Sequence, residues 1–289
     1  VLGLELPRRG PFAVLAGAVD GLWGAPRLEG PYERLPVQGT DVHAVAVDFA
    51  QPDSMWASSD QGMWRTTDGG RRWALLDAGL ADPGTAWALQ WRGESLFGSD
   101  AQAVYRWTGD TWSRSSDQYG VVMLDPGPHG QLVASSMGDG MRVYDGRSWR
   151  PTRGGLVVHN HNGGPRGVHV VSVSFGAGGR AYAGTMEDGV EASLDGGTSW
   201  TQSWPQLAGD GVAWRVLPMG SDLVAATDHG LLTYRLPAAG GAVWWWWLSV
   251  IGGGLVVASF AVWLNRPGGV GLDGRGRPAP LRLRSRPRR

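Results

Sequence analysis

The stretch that decides the fold is Val168–Trp204, VHVVSVSFGAGGRAYAGTMEDGVEASLDGGTSWTQSW. Its composition predicts a β-branched strand over Val168–Phe175 and further short strands over Arg180–Thr185, over Val190–Ser193 and from Ser199 onward. The segments between them are rich in Gly and Asp, which favour tight antiparallel turns. A single four-stranded sheet of this kind cannot bury both of its faces, so a repeated unit is expected.

The chain repeats this unit along residues 1–236. Each copy carries three small or apolar residues, then an acidic turn, then a small residue followed by an apolar one. The copies begin at Ala16, Ala57, Phe97, Ala134, Ala183 and Ala225, at spacings of 41, 40, 37, 49 and 42 residues. Six units of three or four short strands predict an all-β fold, a six-bladed β-propeller. The alternative is a generic β-sandwich, which would not keep one tripeptide in step with one turn six times.

A second motif lies between the predicted third and fourth strands. Thr66–Trp73 (TTDGGRRW) and Ser193–Trp200 (SLDGGTSW) fit S/T-x-D-x-G-x-x-W, and Trp107–Trp112 and Tyr144–Trp149 are shortened versions. We expect the Asp carboxylate to accept backbone N–H bonds, the Gly residues to adopt positive φ, and the Trp to pack between neighbouring units. The pattern resembles the Asp box of sialidase-like (BNR) propellers. That resemblance implies a structural role, opposite the ligand face, for Asp68, Gly70, Trp73, Asp145, Trp149, Asp195, Gly197 and Trp200.

The hairpins between the second and third strands supply the candidate ligand or partner face. Each contains one Asp, namely Asp20, Asp60, Asp100, Asp139, Asp188 or Asp228. Six acids around a funnel would attract a cation or a basic partner, whereas Asp is also simply a good hairpin residue. The outsized spacing of 49 places an insertion at Arg150–Gly167 on the same face. His159 and His161 within it could share a metal or belong to an exposed polar loop. We predict no bound metal and no cofactor.

The C-terminal part has a different composition. After a linker at 237–241, Ala242–Leu264 contains 23 residues without a charge, enough at about 1.5 Å per residue to cross a bilayer as a helix. Indoles prefer the two interfaces, and glycines at mid-span permit close helix approach. The residues concerned are Trp244, Trp245, Trp246, Trp247, Gly252, Gly253, Gly254 and Trp263. We therefore predict one C-terminal transmembrane helix that contacts other membrane subunits.

Charge predicts how this helix is oriented. Residues 1–264 hold 18 Arg and 25 acids, a net charge of −7, whereas residues 265–289 hold 8 Arg and one Asp, a net charge of +7. By the positive-inside rule we expect a disordered, cytoplasmic basic tail that touches membrane lipid, with no nucleic acid as partner. The propeller then lies on the periplasmic or extracellular side of a bacterial inner membrane. The chain has no Cys, so disulfides are excluded.

The sequence does not contain a recognisable catalytic set. Sialidases use an Arg triad, a Tyr nucleophile with a Glu partner and an Asp acid/base, but Leu6–Arg9 does not match their early Arg-Ile-Pro motif. Tyr105, Tyr144 and Tyr234 recur at one third-strand position, as core packing would place them. Glu187 with Asp60 or Asp139 could form a carboxylate pair across the funnel, although nothing selects it over the hairpin interpretation. We expect no enzyme activity, and a glycan-binding or glycan-cleaving propeller is the alternative.

Gly184–Trp200 and the all-propeller layout also resemble the photosystem II assembly and stability factor family. The resemblance implies a non-catalytic accessory or assembly subunit of a large membrane protein complex, photosynthetic or respiratory in type. Subunits of that complex would be its partners.

Overall fold

The computed structural model describes residues 2–152, 154–156, 168–202 and 211–236. Short strands dominate these residues, and the only helical elements among them are three 3₁₀ turns, Pro83–Thr85, Pro128–Gly130 and Ala177–Gly179. The predicted all-β class is confirmed.

The strands follow the six sequence repeats, which we call units one to six. Units one and two contain β1 Gly3–Glu5, β2 Val14–Ala18, β3 Gly21–Ala25, β4 Glu33–Arg34, β5 Ala44–Val47, β6 Met55–Ser59, β7 Gly62–Thr66 and β8 Ala74–Leu75. Units three and four contain β9 Ala88–Arg92, β10 Ser95–Ser99, β11 Val104–Trp107, β12 Trp112–Ser116, β13 Val121–Pro126, β14 Leu132–Gly138, β15 Gly140–Tyr144 and β16 Trp149–Thr152. Units five and six contain β17 Val168–Phe175, β18 Ala181–Thr185, β19 Val190–Ser193, β20 Thr201–Gln202, β21 Ala213–Met219, β22 Asp222–Thr227 and β23 Gly230–Arg235.

Every unit is an antiparallel meander in which sequential strands pair. Units one, two and three each form a four-stranded sheet, and unit six forms a three-stranded sheet from its described residues. Units four and five join into one eight-stranded sheet because Met137 and Gly138 at the end of β14 pair with His169 and Val168 of β17. The sequence repeat predicted two separate units, and it did not predict this pairing.

The hydrophobic core lies between consecutive units rather than within any one sheet. Five buried clusters each combine residues of two neighbouring units. The predicted turn residues belong to these clusters: Trp200 is buried in one, and Trp73 and Trp149 pack against two others. Tyr105 and Tyr144 also lie in or against the clusters, as their repeated position predicted.

The small tripeptides are explained by close approach between units. A Cβ on Gly17 would collide with the carbonyl oxygen of Val42, and a Cβ on Gly184 would collide with that of Ala213. Both carbonyls belong to the segment that begins the next unit. Only a small residue leaves room for that backbone, so the tripeptide marks the contact from one sheet to the next.

The predicted linker, transmembrane segment and basic tail (residues 237–289) lie outside the described residues. Within the described part of the chain, no helix is both long enough and apolar enough to cross a membrane.

Candidate functional site

The hairpins that join the second and third strands define one end of the units, which we call the hairpin face. Asp60 follows β6 in the hairpin of unit two. Its Oδ1 accepts a hydrogen bond from the Thr40 backbone N–H (2.8 Å), and its Oδ2 accepts one from the Thr40 hydroxyl (3.0 Å). Because Thr40 precedes β5, this carboxylate ties the hairpin to the segment that enters its own unit.

Asp100 makes the corresponding contact in unit three and is fully buried. Its Oδ2 accepts N–H bonds from Ala81 (3.0 Å) and Asp82 (2.9 Å), which precede β9. Its Oδ1 accepts N–H bonds from Gln102 (2.8 Å) and Ala103 (2.9 Å) in the hairpin itself. Four such donors compensate the loss of water around a buried carboxylate.

Asp228 repeats the contact in unit six. Its Oδ2 accepts from the Val212 N–H (3.1 Å), and its Oδ1 accepts from Trp214 Nε1 (2.6 Å). The indole bond, followed by the backbone bond, lowers the pKa of Asp228. The carboxylate is therefore held ionised and in place.

The other three hairpin acids have local contacts. Asp20 Oδ1 accepts from Trp23 Nε1 (3.0 Å), and Asp139 Oδ2 lies 2.9 Å from Arg142 Nη2. The backbone N–H of Asp188 donates to Thr185 Oγ1 (3.0 Å). These contacts favour the hairpin interpretation of the six acids, and the attraction of a cation or basic partner stays a prediction.

The predicted histidine loop lies outside the described residues, so His159 and His161 have no structural account. His169, which follows it, has Nδ1 4.0 Å from Glu187 Oε1 on the hairpin face. In the part of the chain that the structure describes, no group of three or more His, Asp or Glu side chains could hold a metal ion.

The turns Thr66–Trp73 and Ser193–Trp200, which we call the staple turns, lie at the opposite end of their units. In unit five, Asp195 Oδ1 accepts from the Ser193 hydroxyl (2.7 Å) and the Ser199 N–H (2.8 Å), and Oδ2 accepts from the Ser199 hydroxyl (2.6 Å). The Ser199 side-chain bond contributes most to a pKa of about 2 for Asp195. Trp200 Nε1 donates to the carbonyl of Gly197 (3.0 Å), whose φ is 89°.

The staple turn of unit two has a similar network, in which a second backbone N–H takes the place of the second hydroxyl. Asp68 Oδ1 accepts from the Thr66 hydroxyl (2.9 Å) and from the N–H groups of Arg71 and Arg72 (3.0 Å each). These bonds lower the pKa of Asp68, and the bond from the Arg72 N–H contributes most. Trp73 Nε1 donates to the Gly70 carbonyl (3.1 Å), and the φ of Gly70 is also 89°. The carboxylate of each staple turn therefore stabilises the conformation of that turn.

The shortened turn of unit four keeps the acid but changes the aromatic contact. Asp145 Oδ1 accepts from the N–H groups of Arg147 (2.8 Å) and Ser148 (2.9 Å), which lower its pKa, the Ser148 bond contributing most. Trp149 Nε1 donates to Ser115 Oγ (2.9 Å) in unit three, so this indole joins two units.

A buried ion pair that sequence reasoning missed joins three units. Asp125 of β13 is almost fully buried and lies 2.7 Å from Arg215 Nη1 of β21. Its other oxygen accepts the N–H of Val173 in β17 (3.1 Å). Burial raises the pKa of Asp125, and Arg215 and the Val173 N–H oppose that shift. The one signal in the sequence is an acid within an otherwise apolar strand.

No protein-family model matches this chain, and no curated protein matches it. Solved structures do. The chain is similar to YCF48 bound to D1 peptide, with a TM-score of 0.52, 14% identity, and coverage of 77% of this chain and 73% of that one. The similarity supports a propeller architecture. The fold is that of a β-propeller.

Two further solved structures are similar to this chain. The extracellular domain of the putative one component system BT4673 from B. thetaiotaomicron aligns with a TM-score of 0.59 and 12% identity, covering 82% of this chain. This chain spans about a third of that one, 34%. The computationally designed Ika8 protein aligns with a TM-score of 0.54 and 14% identity, over 81% of this chain and 70% of that one. At such identities the likeness concerns the fold alone.

Proposed function

We propose that the chain is a non-catalytic, membrane-anchored propeller that acts as an accessory or assembly subunit of a large membrane protein complex, photosynthetic or respiratory in type. In this proposal residues 1–236 form a six-bladed propeller with Asp-box turns, and Ala242–Leu264 spans the membrane. The propeller lies on the periplasmic or extracellular side, and the basic tail is cytoplasmic.

The observation that carries the proposal is the fold shared with YCF48, whose solved structure has a D1 peptide bound. A propeller of this architecture can therefore present a surface that holds a polypeptide. The hairpin-face contacts support the same role. Asp60, Asp100 and Asp228 accept backbone or indole N–H bonds, so they hold the loops of that face in place.

The proposed partners are integral subunits of the complex and membrane lipid. Gly252, Gly253 and Gly254 would let a neighbouring helix approach closely in the bilayer. The Arg-rich tail would contact anionic headgroups on the cytoplasmic side.

The experiment is to extract the protein from its own membranes in mild detergent, measure its native mass, and identify by mass spectrometry what migrates with it. We expect a defined assembly much larger than the 30.8 kDa chain with its detergent. Replacing Gly252, Gly253 and Gly254 together by Leu should release the protein from that assembly, whereas the matched hairpin-face variant Glu187→Gln should remain in it.

Migration as a lone chain in detergent would contradict the accessory role. Glycan cleavage that is lost in Glu187→Gln and kept in the Gly→Leu variant would favour the glycan-cleaving alternative instead.

A further inference from the structure

The units pack against one another through one interface that the chain repeats. Each unit presents an apolar third-strand residue, which we call its anchor, opposite a small residue of its second strand. The anchors are Leu22, Met63, Val104, Met141, Val190 and Leu231, and their cross-strand partners are Gly17, Ser58, Ser99, Ser135, Gly184 and Ala226.

The next unit receives the anchor with an apolar residue of its first strand, which we call its inner residue. Leu22 and Val45 lie in the same buried cluster, as do Met63 and Leu89. The remaining pairs are Val104 with Leu124, Met141 with Val173, and Val190 with Val216. By its register opposite Ala16, the inner residue of unit one is Leu4.

The two ends of this series differ from the five filled interfaces. The anchors of units one to five are 0–1% exposed, whereas Leu231 of unit six is 47% exposed. The inner residues of units two to six are 0–6% exposed, whereas Leu4 of unit one is 52% exposed. Consecutive first strands contact each other from β1 to β21, but among the described strands β21 makes no comparable contact with β1.

Further apolar side chains extend both open faces. Leu217 and Met219 share the Leu231 face of unit six, because Leu217 lies opposite Val224 and Ala226 lies opposite Leu231. Leu2 and Leu6 share the Leu4 face of unit one by strand alternation. All four side chains are exposed. Contiguous exposed apolar faces of this kind mark interaction sites.

We propose that the gap between units six and one binds an apolar β-hairpin of a partner protein, which packs as an additional sheet between Leu231 and Leu4. Continuity with the five filled interfaces argues for this occupant. On the unit-six side Ala226 is smaller than Ser58 and Ser99, which hold this position in units two and three next to a backbone carbonyl of the following unit.

The chemistry of the two faces defines the partner segment. A sheet covered on both faces needs apolar residues at successive positions rather than in alternation. It also needs a small residue where it meets unit one. The polar rim of the gap includes the ion pair of Arg235 with Asp222 (3.1 Å) on the unit-six side. This inference rests on the proposed role as a protein-binding subunit, and it names the surface and the kind of segment that the subunit would hold.

The absence of Cys makes a direct test possible. The full chain carrying Leu4→Cys and Leu231→Cys is purified in detergent, exposed to a mild oxidant, and separately labelled with a maleimide. The probe is a synthetic peptide of residues 168–185, the first hairpin of unit five, whose two faces are covered by units four and six in the fold. We expect both thiols to label without forming a disulfide, and the probe to slow labelling at both positions about tenfold.

The control is Leu194→Cys, an exposed position in the staple turn of unit five, which should label at the same rate with and without the probe. A scrambled peptide should protect none of the three positions. Equal melting temperatures of the variants and the parent protein would establish that each is folded.

Three results would overturn the inference. A disulfide within one chain would mean that units six and one close on each other, since a disulfide needs Cα atoms within about 7 Å. A disulfide between chains would make a second copy the occupant. Unchanged labelling in the presence of the probe would mean that the gap does not accept a sheet. None of these results depends on the native mass in membranes, so failure of the inference and failure of the proposed function can be told apart.

Discussion

At the scale of single residues, the carboxylates of this propeller act mainly as acceptors for the chain around them. The staple turns show this most completely, since Asp68 and Asp195 both accept from the hydroxyl two residues before them and from the backbone N–H four residues after them. The motif in the sequence predicted the backbone bonds, because an Asp followed by glycines in a tight turn accepts from nearby N–H groups, but it did not predict the hydroxyl bonds.

The first prediction concerns Asp195 and pH. Its pKa in the fold is about 2, below the usual value of 3.8, so its bonds stabilise the protein fully above pH 4 and progressively less as the pH falls toward 2. Asp195→Asn should lower the melting temperature at pH 7, and the difference from the parent should shrink between pH 4 and 2. Thermal melts over this range measure it.

The control for this series is Asp110→Asn, in the exposed turn of unit three, which should change the melting temperature little at any pH. A difference between Asp195→Asn and the parent that stays constant from pH 7 to pH 2 would contradict the role given to the carboxylate.

The second prediction concerns the buried pair of Asp125 and Arg215. Arg215→Met leaves Asp125 buried without its cation, which should reduce the free energy of unfolding by about 1–3 kcal/mol. The loss should be smaller than for a fully buried pair, because the Arg215 side chain is 39% exposed. The double variant Asp125→Asn with Arg215→Met should recover part of that loss, because no charge then remains buried.

Denaturant unfolding at several pH values measures this cycle. Burial raises the pKa of Asp125, and removing Arg215 raises it further, so Arg215→Met should be least destabilised at acid pH, where the carboxyl is protonated. Strictly additive effects of the two substitutions at pH 7 would show that the side chains are not coupled.

At the scale of strands and sheets, the small residues of the repeated tripeptide are the contact points between units. The sequence revealed their recurrence, but only the structure shows the reason, which is the backbone of the next unit. It also corrects the alignment in unit three. There Ser99, not Gly98, lies opposite the anchor Val104, and its hydroxyl donates to the carbonyl of Val121 in unit four (2.9 Å).

The third prediction tests this contact. In Gly184→Ala the new Cβ meets the Ala213 carbonyl, so unit six must shift, at a cost of about 1–3 kcal/mol in the free energy of unfolding. Gly84→Ala is the matched control: its Cβ has only ordinary contacts, the nearest at 3.5 Å, and should change stability by less than about 0.5 kcal/mol. Equal stability of the two variants in urea unfolding would contradict the close approach.

Other features at this scale were beyond prediction from the sequence. The junction of units four and five depends on the backbone pairing of Met137 with His169, and neither residue type indicates such a pairing. Asp125 and Arg215 are 90 residues apart, so their contact depends on how three sheets are arranged. Local turn chemistry can be read from neighbouring residues, whereas contacts between units depend on the tertiary arrangement.

At the scale of the whole molecule, the account rests on one interface that the described chain fills five times and leaves open once. Repetition in the sequence predicted the units because each turn and tripeptide is local. The repeat could not predict which faces are covered. Leu22 and Leu231 are both leucines at the same position of the repeat, yet Leu22 is buried and Leu231 is exposed. The repeat therefore predicts the propeller fold, whereas the open face depends on how the units pack against one another.

The most direct measurement is the native labelling rate of a single Cys placed in turn at the six anchors, Leu22, Met63, Val104, Met141, Val190 and Leu231. The Cys-free parent gives no background. The account predicts rapid labelling at Leu231 alone, and labelling at the other five only when denaturant opens the fold. Protection at Leu231 equal to that of the other anchors would show a closed ring and contradict the open face. Rapid labelling at all six would contradict the repeated interface itself.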